Sequence, residues 1–275
     1  MAKSHSFKVL LAYAVLLASS VVSICQKPIR DNLRLEEVPA HDPWVVADRK
    51  NNTYYLYVNS DPSYSGDHRC GVVTYRSKDL ATWSGPYLVF EVPTNSWANP
   101  IQGVWAPEVH FYNGKYYLFA TLNNYDKALP FEGSQETDPA AHQVHIHITY
   151  LGTGPHLRGT QVFVSDSPEG PFKVIADRPI PPFDYMTLDG TFYVENGTPY
   201  MIYAHEWQQL WDGAMEAVQM KADLSGSVGK PFYLFKASDA PWLAGPHDTF
   251  NTPQNYVTDG PELYRTRTEK LLRTR

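Results

Sequence analysis

Apolar and polar residues alternate along most of this chain with a period of two, the spacing of strands that bury one face. The alternating runs come in pairs. His41-Asp42-Pro43-Trp44-Val45-Val46 is followed by a polar turn at Asn51-Asn52 and a return through Tyr54-Tyr55-Leu56-Tyr57-Val58. Trp105-Ala106-Pro107-Glu108-Val109-His110-Phe111-Tyr112 turns at Asn113-Gly114 and returns through Tyr116-Tyr117-Leu118-Phe119. Leu188-Asp189-Gly190-Thr191-Phe192-Tyr193-Val194 turns at Asn196-Gly197, returns through Tyr200-Met201-Ile202-Tyr203 and ends on Glu206-Trp207. Asn-Gly between alternating runs predicts a hairpin, because both central residues of a type I′ turn need positive φ. A fourth unit opens at Thr258-Asp259-Gly260-Pro261-Glu262-Leu263-Tyr264, turns near Thr268-Glu269 and reaches Leu271-Leu272.

Each of the first three hairpins has a candidate outer pair of strands. These are 71–75 with 87–91, 161–165 with 172–176, and 214–220 with 232–235. A four-stranded unit that recurs with an acid or an aromatic at each start predicts a β-propeller. Residues 30–39 read as a polar connector. The largest insertion, 123–159, holds His142, His145, His147 and His156. Alternation puts His145 and His147 on one strand face, a spacing that metal sites use. No cysteine or acid stands at matched spacing beside them, so the segment reads as a solvated, substrate-facing loop. No helical stretch, low-complexity segment or linker interrupts the pattern. One all-β domain over 26–275 is therefore expected. Residues 268–275 lack the returning tyrosine-rich strand of the other units, so about three and a half blades are expected in this sequence.

Composition sharpens this picture in three places. Aromatics are 14% of the chain and charged residues only 19%, which favours strands and suits a neutral partner such as a carbohydrate. The net charge of -6 argues against nucleic acid, which calls for a basic footprint. At the start, Lys3 and Lys8 precede an uncharged run over 9–25 that breaks at Gln26-Lys27-Pro28. That is the form of a secretory signal peptide over 1–25, and it is marginal as a membrane span. A secreted or periplasmic, monomeric product follows, and Ile24 weighs against a lipid anchor on Cys25. Cleavage after Cys25 leaves Cys70 alone, so no intramolecular disulfide supports the fold.

The first strand of each propeller blade lines the central axis, so equivalent strand ends meet in one funnel. Asp42, Glu108, Asp189 and Asp259 or Glu262 would then gather there. Trp44, Trp105 and Trp207 flank these acids, where an indole stacks on a sugar ring or packs in the core. Hydrolysis of a glycosidic bond needs two carboxyls in different states, one drawing a proton from water and one protonating the leaving group. In inverting enzymes they stand roughly 6.5–9.5 Å apart. A third acid nearby raises the donor's pKa. The same acids would also suit calcium, but they lack the dense Asp/Asn spacing of a calcium loop.

The motifs HDPWVV, WAPEVHFYNGKYYLF, LDGTFYVENGTPYMIY and TDGPELYR, in that order, resemble glycoside hydrolase family 43, the five-bladed β-propeller glycosidases. The resemblance runs from about residue 39 to the C-terminus. It implies Asp42 as general base and Asp189 as the acid that tunes and orients the proton donor. The family's donor is usually a Glu two residues before a proline at the start of the fourth blade. Asp259 occupies that place here, in Asp259-Gly260-Pro261, and is one methylene shorter than Glu. Glu206 at the rim of the third blade is its rival, with Glu262 just beyond. Glu108, Trp44, Trp105, Trp207 and Glu262 are expected to line the substrate pocket. The resemblance implies arabinose-, xylose- or galactose-containing plant polysaccharides as substrates, with exo-acting α-L-arabinofuranosidase first. It implies no metal or organic cofactor. A propeller that binds sugar without cleaving it, or an inactive fragment, are the other readings.

Overall fold

The computed structural model describes residues 27–129, 140–144, 152, 154–181, 184–243, 256–265 and 271–274, without side chains at 264–265 and 271–274. The leader over 1–25, His145, His147 and the turn at Thr268-Glu269 lie outside the described residues.

The chain is built almost wholly of antiparallel strands, as the alternation predicts. Blade 1 has the spatial order β1-β5-β4-β3-β2, from β1 (Arg30–Arg34), β2 (Trp44–Asp48), β3 (Thr53–Ser60), β4 (Gly71–Ser77) and β5 (Thr82–Glu91). Blade 2 runs β6 (Val104–Tyr112), β7 (Lys115–Ala128), β8 (His156–Ser165), β9 (Lys173–Val174). Blade 3 runs β10 (Thr187–Glu195), β11 (Thr198–His205), β12 (Ala214–Met220), β13 (Ser227–Lys236). A two-stranded sheet, β14 (Glu262–Arg265) with β15 (Leu271–Thr274), follows. This is the all-β propeller architecture, in three blades and the hairpin of a further one.

The Asn-Gly turns behave as expected. Asn113 and Asn196 take φ of 47° and 49°, and the glycines after them 80° and 79°. Residues 30–34 were expected as connector. They instead add a fifth strand to the outer edge of blade 1, with Leu33 buried against Trp83 and Tyr75. Their polar composition is that of an edge strand, where one face and one rim stay wet. The outer strand of blade 2 is only the pair Lys173–Val174.

Blades pack face to face through the alternate residues the pattern marks as apolar. Tyr57, Val72 and Phe90 of blade 1 meet Val104, Leu118 and Phe163 of blade 2 in one buried cluster. Tyr117, Phe119 and Val162 of blade 2 meet Met201, Tyr203 and Val218 of blade 3 in another. Each fully buried side chain of this size contributes on the order of 1.5–3 kcal/mol. These two seams fix how the inner strands β6 and β10 face one another.

Candidate active site

The inner strands begin with a shared irregularity. Asp42, Ala106 and Asp189 all take positive φ, at 48°, 40° and 51°. The β6–β7 register shifts between Trp105 and Glu108, and the β10–β11 register between Leu188 and Thr191. A non-glycine residue in this region is strained by about 1–3 kcal/mol, and such strain collects at functional sites. Asp42 and Asp189 thus hold the same place in blades 1 and 3. In blade 2 that place belongs to Ala106, and Glu108 lies two residues further along the strand.

The bend at Asp189 is pinned from blade 2 by two threonines. The Asp189 N–H donates to Thr121 Oγ1 at 2.8 Å and the Gly190 N–H to Thr160 Oγ1 at 2.9 Å. Position 190 admits only glycine without a shift: a Cβ there would stand 2.6 Å from Met201 Sδ and 2.9 Å from both side-chain branches of Thr160.

Four of the predicted acids form one electrostatic group. Asp189 is pushed well above the ordinary carboxyl range, first by burial and then by a hydrogen bond and charge from Asp259, with Asp42 and Glu206 adding to it. Glu206, 4% exposed, is also pushed up, chiefly by burial and further by Asp259, while Arg158 and His205 act against this. Asp42 is exposed, with His41 Nδ1 2.8 Å from its Oδ2. Asp259 is exposed and accepts from the Gly260 N–H at 2.8 Å.

Glu206 is held asymmetrically. Its Oε1 accepts from Arg158 Nη1, whereas its Oε2 is buried with no hydrogen-bond partner among the described residues. Arg158 itself is immobilised. Its Nε donates to Asn123 Oδ1 at 2.7 Å, its Nη2 meets His156 Nε2 at 3.1 Å, and its guanidinium lies 4.3 Å from the Trp105 ring centroid. Because arginine only donates, His156 Nε2 must accept, and Nδ1 carries the proton towards the Gly154 carbonyl at 2.9 Å. His156 is therefore neutral, and burial together with the Arg158 charge lowers its pKa to about 4.

The remaining predicted residues are placed differently from the acids. Trp44 donates its indole N–H to the Val109 carbonyl at 2.9 Å and lies 4.9 Å from the His110 ring, wedged between blades 1 and 2. Glu108 Oε2 accepts from Thr191 Oγ1 at 2.7 Å and lies 2.8 Å from His110 Nε2, so it links blade 2 to blade 3. Burial raises its pKa against the pull of His110, and Glu262 adds to the rise. Trp105 reaches the acid cluster through Arg158, and half-buried Trp207 follows Glu206 in the same turn.

Arg158, Asn123, Thr121 and Thr160 are missed when the sequence alone is read. His156 is assigned there to a solvated loop, which the structure corrects: His156 begins β8 and is 2% exposed. The available signal was His156-Leu157-Arg158, a charged residue in strand alternation that no surface role explains. Among the described residues, no group of three or more His, Cys, Asp or Glu is arranged to hold a metal ion.

Blades of this form, with Asp42, Asp189 and Asp259 grouped electrostatically near the starts of the inner strands, define a propeller. Residues 37–268 match Glycosyl hydrolases family 43, and the chain belongs to that family. It is similar to an endo-arabinase from Bacteroides thetaiotaomicron VPI-5482, at 30% identity and a TM-score of 0.68 over 89% of this chain and 72% of that one. It has the fold of an endo-1,4-beta-xylanase from the same organism, at 21% identity and a TM-score of 0.53, over 87% of this chain and 63% of the other. A shorter stretch of 59 residues is 30% identical to the extracellular endo-alpha-(1->5)-L-arabinanase 1 of Bacillus subtilis (strain 168). That stretch spans 20% of this chain and 18% of the Bacillus protein.

Proposed function

We propose that this protein is a secreted glycosidase that cleaves α-L-arabinofuranosyl bonds in plant polysaccharides with inversion, and that Glu206 is its proton donor. One observation carries the choice of Glu206: a buried carboxyl with one oxygen clamped by Arg158 and the other without a partner, beside Asp189 and Asp259. Arg158 can only donate, so a proton on Glu206 resides on Oε2. A buried carboxyl pushed upward in pKa holds that proton at a pH where ordinary carboxyls have lost theirs. Asp42, open to solvent, draws the proton from the attacking water. The charge of Asp259 adds to the rise in the donor's pKa, and Asp189, braced by Thr121, orients the donor. In this reading the Glu206 side chain turns so that Oε2, buried without substrate, meets the departing oxygen. Its proton passes to that oxygen as the glycosidic bond breaks, and Arg158 stabilises the carboxylate left behind.

The family and the two arabinan-degrading relatives support the sugar class. The names of those relatives favour a second reading within it, internal cleavage of arabinan in place of removal of terminal units. The basic-then-apolar start of the sequence and the extracellular Bacillus relative support export. Incubation with aryl α-L-arabinofuranoside, β-xyloside and β-galactoside, alongside linear arabinan, tests the reading. Hydrolysis of the arabinose substrates with release of the inverted anomer is expected. Sugar binding without turnover of any of them would make the protein a binding propeller instead.

A further inference from the structure

Blade 3 carries a second buried histidine, whose partners differ from those of His156. His205 ends β11 immediately before Glu206 and is 0% exposed. Its Nδ1 lies 3.1 Å from Glu216 Oε1 on β12, and its Nε2 lies 2.8 Å from Gln209 Oε1. Backbone groups set which end of the Gln209 amide is which. The Met186 N–H donates to Gln209 Oε1 at 2.7 Å, and Gln209 Nε2 donates to the Asp184 carbonyl at 2.5 Å. Turning that amide over would set donor against donor and acceptor against acceptor. Both nitrogens of His205 therefore face oxygens, and a ring that donates at both nitrogens carries a positive charge.

We propose that His205 is an imidazolium, neutralised by Glu216, that ties the turn bearing Glu206 to the start of the strand bearing Asp189. Gln209 is the link, because its side chain holds Met186 and Asp184, just ahead of β10, while its backbone N–H donates to the Glu206 carbonyl at 3.0 Å. The Glu206 N–H closes the loop on the Met186 carbonyl at 3.0 Å. The groups facing His205 are consistent with a cation. Glu216 comes from β12 with its second oxygen accepting from Tyr203 Oη on β11 at 2.7 Å. The Tyr185 ring stands 4.6 Å away, and the Glu206 carboxyl, whose overall upward pKa shift His205 opposes, follows along the chain. Two histidines in opposite states thus flank Glu206: His156 neutral behind Arg158, and His205 charged beneath the turn. This brace rests on the proposed function only for its effect on turnover, since its charge and its contacts exist without substrate.

The test is long-range ¹⁵N–¹H correlation NMR of the full chain labelled at its histidines, at pH 7. His205 is identified by loss of its signal in His205→Gln or, if that variant does not fold, by loss of its imidazolium pattern in Glu216→Gln. Both nitrogens protonated supports the proposal, and a single protonated nitrogen overturns it. In Glu216→Gln the ring is expected to become neutral, and amide exchange at Met186 and Glu206 to accelerate at least tenfold. Neutralisation without faster exchange at those amides would overturn the bracing role. Neither readout needs hydrolysis, so a catalytically inert protein with a charged His205 would count against the proposed function and leave this inference standing.

Discussion

Arg158 engages Glu206 through a single carboxylate oxygen, Oε1, and leaves Oε2 buried without a partner among the described residues. A two-pronged pairing would have tied both oxygens and favoured the ionised form. The one-pronged pairing orients the group while leaving a place for a proton.

Replacing Arg158 with Met should therefore cost turnover more than binding. The carboxyl stays buried but loses the contact that orients it, so kcat is expected to fall by about 10²-fold or more with a smaller change in KM. Arg158→Lys keeps the charge but not the planar fork that reaches Asn123, His156 and Glu206 together, and should recover only part of the loss. Steady-state kinetics on an aryl arabinofuranoside measures both.

Asp42→Asn removes the proposed base while keeping the size of the side chain. Hydrolysis should fall by about 10²-fold or more, and the melting temperature should change little because Asp42 is exposed. A variant as active as the wild type would remove Asp42 from the mechanism.

Gly190→Ala tests the packing that holds Asp189. A Cβ at 2.6 Å from Met201 Sδ and 2.9 Å from Thr160 Oγ1 forces one of them to move. Overpacking of this kind costs about 1–3 kcal/mol. Calorimetry should show a lower melting temperature, and activity should fall with it because Thr160 also positions the Gly190 backbone.

The neutral state of His156 makes a pH prediction with a definite sign. Its pKa falls from 6.5 to about 4 on folding, so below pH 6.5 the unfolded chain binds a proton that the folded one does not. Stability from this group is complete above pH 6.5 and is lost as the pH falls towards about 4. His156→Gln keeps an acceptor for Arg158 without the titration. The melting temperature of the wild type relative to this variant is expected to fall across that window and to be flat above it.

The repeat of alternating pairs and Asn-Gly turns made the blades and their inner strands readable in advance, and with them the positions of Asp42 and Asp189 at the strand starts, whereas the rivalry between Asp259 and Glu206 came from the family resemblance. Those features are local, since period and turn chemistry lie within a few residues of each other. Arg158 and His156 were not readable, because they sit at the end of an insertion and acquire their meaning only when β8 returns beside β7 and faces Glu206. Spacing alone does not show the register of Glu108. The bulge after Trp105 puts Ala106, not Glu108, where the other blades carry Asp. Residues 30–34 were read as connector because an edge strand needs few apolar residues, and its pairing with β5 leaves no mark in its own sequence.

Glu206 is proposed as the proton donor, and paired kinetics of Glu206→Gln and Asp259→Asn test that assignment. Each variant is compared with the wild type on arabinofuranosides with a good and a poor leaving group, since only the poor one needs protonation. Glu206→Gln is expected to lose about 10²–10⁴-fold on the poor leaving group and far less on the good one, while Asp259→Asn shows no such difference. The reverse pattern, with the leaving-group-dependent loss in Asp259→Asn and none in Glu206→Gln, would contradict it.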